Sequence, residues 1–187
     1  LQPDLDQIRC NQQESILATN IEIKARIDDY QQKKKLIESI IVDLPVVLHQ
    51  EDTFFYSPDG RLKLRVLSPS EGQLIYYHRP DLDGPKLSEY YIYPTSEPGL
   101  LKTVLSTGLG VRGVVKKTRL VYLAENVRIH LDQVNDLGNF LELEVVFMSE
   151  QDRSIAEKQS RIWMQNLEIA RQDLIEGAYI DLLGEIK

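Results

Sequence analysis

The chain has 187 residues, 42% of them hydrophobic and 27% charged, with a formal net charge of −7. That is enough for one sizeable core, and the acidic balance argues against nucleic acid, whose phosphates the chain as a whole repels. The single cysteine, Cys10, excludes a disulfide framework or thiolate-rich zinc site and points to a reducing, cytoplasmic setting, and no apolar run approaches the roughly 20 residues of a membrane span.

Residues 1–18 offer at most a short helix around Gln13 to Ala18. Their polar opening has neither the basic start nor the apolar centre of a signal peptide, so they read as an extension of one domain spanning 19–187. The first strand runs from Asn20 to Ile27. Side chains alternate across a strand, which puts Asn20, Glu22, Lys24 and Arg26 on one face and Ile21, Ile23, Ala25 and Ile27 on the other. Asp28 or Asp29 caps a helix through about Ile41, with Leu36, Ile37, Ile40 and Ile41 at helical spacing and Lys33 to Lys35 outside.

Residues 45–56 hold extended apolar and aromatic pieces ending in D-T-F-F-Y, and Ser57-Pro-Asp-Gly60 has turn chemistry. In the next strand, R-L-K-L-R-V-L, Arg61, Lys63 and Arg65 share a face. A turn over 68–72 leads to a strand from Leu74 to Arg79, where Tyr77 and Arg79 lie on one side and His78 on the other. Pro80 to Pro85 is a loop, and Ser88 to Tyr93 a further strand. Pro98 opens a short helix to about Ser106, as proline suits a first helical turn, and Val111 to Leu123 is a long strand with Lys117 and Arg119 in step.

Between that helix and that strand, Gly108 to Gly113 fits G-x-G-x-x-G letter for letter. In a dinucleotide fold the motif follows a strand and opens a helix; here the order is reversed, so it reads as a helix C-cap and turn.

Arg128 to Val146 reads as two strands and a turn, with Arg128, His130 and Asp132 on one face of the first and Glu142 and Glu144 on one face of the second. Beyond residue 150, Ile155, Ile162, Leu167, Ile169 and Leu174 recur at roughly helical intervals. Two C-terminal helices that break near Gln172 follow from this, with Leu174 to Leu183 apolar enough to dock on the body.

Charged residues thus recur at alternating positions of nearly every strand. They are either the wet side of an open sheet or the polar interior of a closed antiparallel barrel with helices outside. The chemistry favours the barrel. Lysines and arginines aimed at one volume repel each other unless something anionic sits there, and a polyphosphate supplies several suitable oxygens. Glu22, Glu142 and Glu144 are hard oxygen ligands of the kind Mg2+ or Mn2+ takes alongside substrate phosphates.

Asn20-Ile-Glu22-Ile-Lys24 resembles the E-x-E-x-K motif of the CYTH superfamily, the triphosphate tunnel metalloenzymes. The likeness continues in family order through Leu62 to Arg65, Lys117-x-Arg119, Arg128 to Asp132 and Gly138 to Glu144, over about residues 20–183. The wording N-I-E-I-K-A-R and L-I-E-G-A-Y-I-D-L-L is most similar to the class IV adenylyl cyclase branch.

The resemblance implies an α+β fold: an eight-stranded antiparallel β-barrel, or triphosphate tunnel, with flanking helices including C-terminal ones. It implies Glu22, Glu142 and Glu144 as metal ligands and, with Asp132, as the catalytic carboxylates. Lys24, Lys63, Arg65, Lys117, Arg119 and Arg128 would bind phosphates, and Arg79 is a further candidate. Asn20 departs from the family, whose first motif residue is Glu. An amide oxygen coordinates a cation without adding negative charge, so a second metal site should be weak or missing.

Arg26 and Arg61 read equally well as surface charges, His130 as a hydrogen-bonded structural residue and Trp163 as helix packing. The function implied is metal-dependent hydrolysis of a terminal phosphate. The alternatives are cyclisation of ATP to cyclic AMP and pyrophosphate, and a polyphosphate-binding module without turnover. The substrate would be a small triphosphate such as ATP, inorganic triphosphate or thiamine triphosphate, on a monomer or homodimer that binds neither nucleic acid nor membrane.

Overall fold

The computed structural model describes residues 18–78 and 86–185. Its eight strands are β1 (Ala18–Arg26), β2 (Val46–Phe55), β3 (Arg61–Ser68), β4 (Glu71–His78), β5 (Lys86–Thr95), β6 (Val111–Ala124), β7 (Val127–Val134) and β8 (Gly138–Phe147). They close into an antiparallel barrel in the order β1-β5-β4-β3-β2-β6-β7-β8. Four α-helices flank it among the described residues: α1 (Tyr30–Ile40), α2 (Pro98–Leu109), α3 (Arg153–Asn166) and α4 (Tyr179–Glu185). The fold is thus the eight-stranded barrel with flanking helices, and the open sheet is ruled out because β1 pairs with both β5 and β8.

Closure decides which face of each strand is wet. On β1, β6, β7 and β8 the apolar set points outward, where Ile23, Tyr122, Ile129, Leu131 and Leu143 meet Ile37 of α1, Ala156 of α3 and Leu167 just beyond it. The main hydrophobic core therefore lies between the barrel wall and helices α1 and α3, and the polar set is left inside. A smaller apolar cluster, formed by Phe54, Val115, Val134 and Phe140 with Ala178, Tyr179 and Ile180, fills one end of the barrel as a floor.

Local chemistry accounts for the boundaries. The Asp29 carboxylate accepts the Gln32 N–H at 2.9 Å and caps α1. Pro98 stands at the start of α2, and Gly110 ends it at φ 76°, with its N–H donating to the Ser106 carbonyl. Val111 then opens β6, so the Gly108–Gly113 stretch is a helix end and strand start and cradles no phosphate. Between β7 and β8 the chain turns with Asp136 at φ 65° and Gly138 at φ 99°. That turn sets the register His130↔Glu142 and Arg128↔Glu144.

Two expectations change. β1 begins at Ala18 rather than Asn20, which removes the end of the anticipated short helix; the rest of that helix, Gln13 to Leu17, lies outside the described residues, as do Arg79 and the whole Pro80 to Pro85 loop. After a one-turn helix at Arg171–Asp173, residues 174–178 are not helical: Leu174 bridges to Ala25, and the Ile175 N–H donates to the Lys24 carbonyl at 2.9 Å. The reason lies in β1, which β5 pairs only from Ala18 to Glu22. The rest of that edge needs hydrogen-bond partners, and the C-terminal segment supplies them before α4 begins.

Candidate active site

Inside the barrel is a cavity of about 510 Å3. Of the residues singled out by sequence, Glu22, Lys24, Lys63, Arg65, Lys117, Arg119, Arg128, Glu142 and Glu144 line it. Alternation along each strand brings them together: they sit on the inward positions of β1, β3, β6, β7 and β8. Asp132 is fully buried beneath this set. Both its oxygens are taken by a bidentate pair with Arg119 at 2.7 and 2.6 Å, and the Tyr179 hydroxyl donates to it at 2.9 Å. Asp132 does not itself line the cavity; it holds Arg119, whose guanidinium also reaches Glu142.

The lumen is polarised. On the β2–β3–β6 side, three cations converge on one carboxylate that the sequence did not single out, Asp52. It accepts from Lys63 at 2.9 Å, from Arg65 at 2.8 and 2.9 Å and from Lys117 at 3.1 Å. Burial alone would raise the Asp52 carboxyl, but Arg65, Lys117 and Lys63 hold it well below the usual carboxylate range. Lys63 is pushed down to about 7 by burial and by Arg65, and Asp52 only partly restores it. Lys117 is lowered likewise, chiefly by burial. Asp52 was hidden inside a stretch legible only as extended and aromatic; what identifies it is its register opposite Arg65, which only barrel pairing sets.

The β1–β7–β8 side carries the acids. Glu22 stands opposite Glu144, and Lys24 opposite Glu142, in the β1–β8 ladder. Lys24 contacts Glu142 at 3.0 Å and lies 4.0 Å above the Tyr179 ring. Burial would raise Glu142, yet Arg119 and Lys24 keep it well below its ordinary value. His130, expected to be structural, has no hydrogen-bond partner at Nδ1 although buried. It offers a ligand atom to a group with Glu142 and Glu144 whose atoms all lie within 4.8 Å of one another. Arg26 and Arg61 do not line the cavity: Arg26 stacks on Phe140 and donates to the Leu137 carbonyl at 2.9 Å, and Arg61 binds Asp181 at 2.9 Å.

The donor set fits a hard divalent cation. Carboxylates from Glu142 and Glu144 are the oxygen ligands that Mg2+ and Mn2+ take, and an imidazole is compatible with the second. Asn20 adds a buried Oδ1 without a hydrogen-bond partner, on the inward face of β1 next to Glu22. An orphaned buried oxygen costs free energy that a bound cation would return.

A closed antiparallel barrel with a polar lumen, basic on one side and acidic on the other, defines the class of the fold: a tunnel barrel. Residues 18–179 match the CYTH domain family, and the chain belongs to it. It is similar to a Methanocaldococcus jannaschii protein provisionally named an adenylate cyclase, at 25% identity over 173 residues, 88% of this chain and 98% of that one. It also resembles the solved structure of the PH1012 protein from Pyrococcus horikoshii, at 26% identity and TM-score 0.74, covering 87% of this chain and 98% of the other. A Vibrio parahaemolyticus protein, also provisionally called an adenylate cyclase, shares the fold at TM-score 0.75 and 17% identity, over 91% and 99% of the two chains.

Proposed function

We propose that this chain is a divalent-metal-dependent enzyme that hydrolyses the terminal phosphate of a triphosphate. The observation that carries the reading is the convergence of Lys63, Arg65 and Lys117 on one side of a lumen whose other side presents Glu142, Glu144 and His130. A polyphosphate spans such a pair of walls, with its oxygens on the cations. Glu142 and Glu144, with His130 and Asn20 as neighbouring donors, would hold the metal ion, which would supply positive charge against the phosphate charge that grows during transfer.

The chain's own residues supply placement. Asp52 and Asp132 hold four cationic side chains in fixed directions before substrate arrives, so little ordering remains to be done in the transition state. The Nε and Nη2 groups of Arg119 and Arg65 are held by Asp132 and Asp52, which leaves their Nη1 groups to meet phosphate oxygens, and Arg128 lines the lumen from β7. Water attacks the terminal phosphorus, the phosphoanhydride bond breaks, and orthophosphate leaves together with the diphosphate product.

The second reading, cyclisation of ATP, is favoured by one observation: the relative at 25% identity whose name assigns it that activity. In that reaction the ribose 3'-hydroxyl displaces pyrophosphate at the alpha phosphorus, and the same cradle serves it. Incubation with ATP, inorganic triphosphate and thiamine triphosphate, each with Mg2+ or Mn2+, separates them. Orthophosphate release is the expected result; cyclic AMP with pyrophosphate would replace hydrolysis by cyclisation, and turnover of none would leave only a binding module. Glu142→Gln should abolish turnover while the far-ultraviolet circular dichroism spectrum is retained. Full activity of that variant would overturn the metal assignment.

A further inference from the structure

Strands β1 and β5 overlap by only five residue pairs, Ala18↔Tyr90 through Glu22↔Lys86, although each runs further. Their offset leaves two free stretches of backbone at opposite ends of the barrel. The one on β1, beyond Glu22, is where Leu174 bridges to Ala25 and the Ile175 N–H donates to the Lys24 carbonyl. The other is on β5, from Tyr91 to Thr95, at the mouth of the lumen, the end opposite the floor. There β4 pairs one edge of β5 as far as Gly72↔Thr95, and among the described residues nothing pairs the other edge.

An open strand edge carries N–H and C=O groups ready to pair with any extended chain. This one is also apolar on both faces. Tyr90 and Ile92 line the lumen, so Tyr91 and Tyr93 lie on the outer face, where they are 53% and 67% exposed; Ile92 is half-buried. The chain that enters β1 arrives where the free edge begins, because Ala18 stands opposite Tyr90. Carried on residue by residue, the same antiparallel register sets Leu17 opposite Tyr91, Ile16 opposite Ile92 and Ser15 opposite Tyr93. The faces agree as well. Asn20, Glu22 and Lys24 face the lumen, so alternation puts Ile16 on the lumen side with Ile92 and Leu17 on the outer side with Tyr91. A slip by one residue would separate both pairs. Pro94, which has no N–H, limits the strip to Tyr91–Tyr93.

We propose that the free edge of β5 from Tyr91 to Tyr93 is a docking strip for this chain's own residues 15–17, which lengthen β1 and strap the segment before them to the mouth of the lumen. The occupant is argued from position. Residue 17 is joined to Ala18 at the first rung of the strip, so the segment is held there at high effective concentration, an advantage that a separate peptide lacks. Docked in this way, Leu17 covers Tyr91, Ile16 covers Ile92, and the wall of the mouth is raised between β1 and β5, where a ligand entering the lumen passes it. At the floor end, residues 174 and 175 already meet the free stretch of β1 by the same device. The strap does not depend on what the lumen binds.

Disulfide trapping on the full chain tests this, in a Cys10→Ser background so that introduced cysteines are the only ones. Ser15→Cys with Tyr93→Cys, and Ile16→Cys with Ile92→Cys, place thiols directly opposite each other on the outer and inner faces. Successive antiparallel pairs alternate between wide and narrow spacing, so one of these two has the narrow spacing that suits a disulfide. Ser15→Cys with Ile92→Cys, on opposite faces, is the control. Under mild oxidation at least one in-register pair is expected to close within the chain about tenfold faster than the control. Equal rates, or closure of neither in-register pair, would overturn the strap. A disulfide-linked dimer of Tyr93→Cys alone would assign the edge to a second copy of the chain and overturn it too. Amide exchange guards against a cysteine pair that fails to fold, because Ile16→Pro alters a residue outside the eight strands. Those amides of Tyr91–Tyr93 that point away from β4 should exchange about tenfold faster in Ile16→Pro than in the wild type, while β7 amides keep their rates. Unchanged exchange at Tyr91–Tyr93 would overturn the strap by itself.

Discussion

Asp52→Asn isolates the counter-charge at the centre of the basic wall. Lys63 Nζ sits 2.9 Å from the Asp52 carboxylate, and Arg65 on its own strand, Lys117 on β6 and the rings of Phe54 and Tyr77 are its other neighbours. Even screened as in bulk water, a unit pair at that distance is worth ~1.4 kcal/mol, or about one pKa unit, and a partly dry lumen makes it larger. Lys63, already near 7, should therefore titrate at about 6 or lower in the variant. An arriving phosphate favours the protonated amine, so affinity falls as pH rises through the lysine pKa, and in Asp52→Asn this fall begins earlier. The ratio of wild-type to variant affinity should grow toward roughly tenfold near pH 7.5 relative to its value near pH 5, as the two protonated fractions diverge. Carbon-13 titration of the Lys63 side chain in the ligand-free protein reads the pKa directly, and inorganic triphosphate titrations across pH read the consequence. Lys63→Arg, which cannot lose its proton, should flatten the profile in both backgrounds. A wild-type Lys63 that titrates near 10, or parallel pH profiles for wild type and Asp52→Asn, would refute the reasoning.

Other outcomes follow from neighbouring features. Because Lys63 and Lys117 titrate lower in the folded chain than in the unfolded one, the folded state binds fewer protons above about 7; their contribution makes stability rise with pH from there toward 10.5, as denaturant midpoints should show. Asn20→Glu should tighten Mn2+ binding, measured on the ligand-free protein; unchanged affinity would remove the amide as the reason for a weak second metal site. Tyr179→Phe takes a hydrogen bond from buried Asp132 and should cost about 1–3 kcal/mol of unfolding free energy. Asp181→Ala releases Arg61, Arg112 and the Ala178 N–H, all within 2.9 Å of that carboxylate, and should lower stability by about 1–2 kcal/mol, a melting shift of several degrees.

Much of this architecture was legible in the sequence because strand alternation is a local property. Glu22 with Lys24, Lys63 with Arg65, Lys117 with Arg119, and Glu142 with Glu144 fall on one face whatever the sheet does, and Asp29 and Pro98 mark helix starts by their own chemistry. What the letters concealed depends on pairing between distant strands. Asp52 looks like one acid in an aromatic run until register sets it against Arg65, and the contacts of Asp132 with Arg119 and Tyr179 likewise appear only once the barrel is closed. His130 became a candidate ligand because β7 and β8 pair it with Glu142. The extended stretch before α4 is set by an unpaired length of β1, which no pattern within residues 174–178 announces.

The floor under the lumen has a kinetic consequence. Phe54, Val115, Val134 and Phe140 close that end around Tyr179, and Asp181 pins the helix that carries it to β3 and β6. On the proposed reading, exchange runs through the mouth, so release would be ordered, with the fragment formed deepest last out and its accumulation holding the protein in an occupied state.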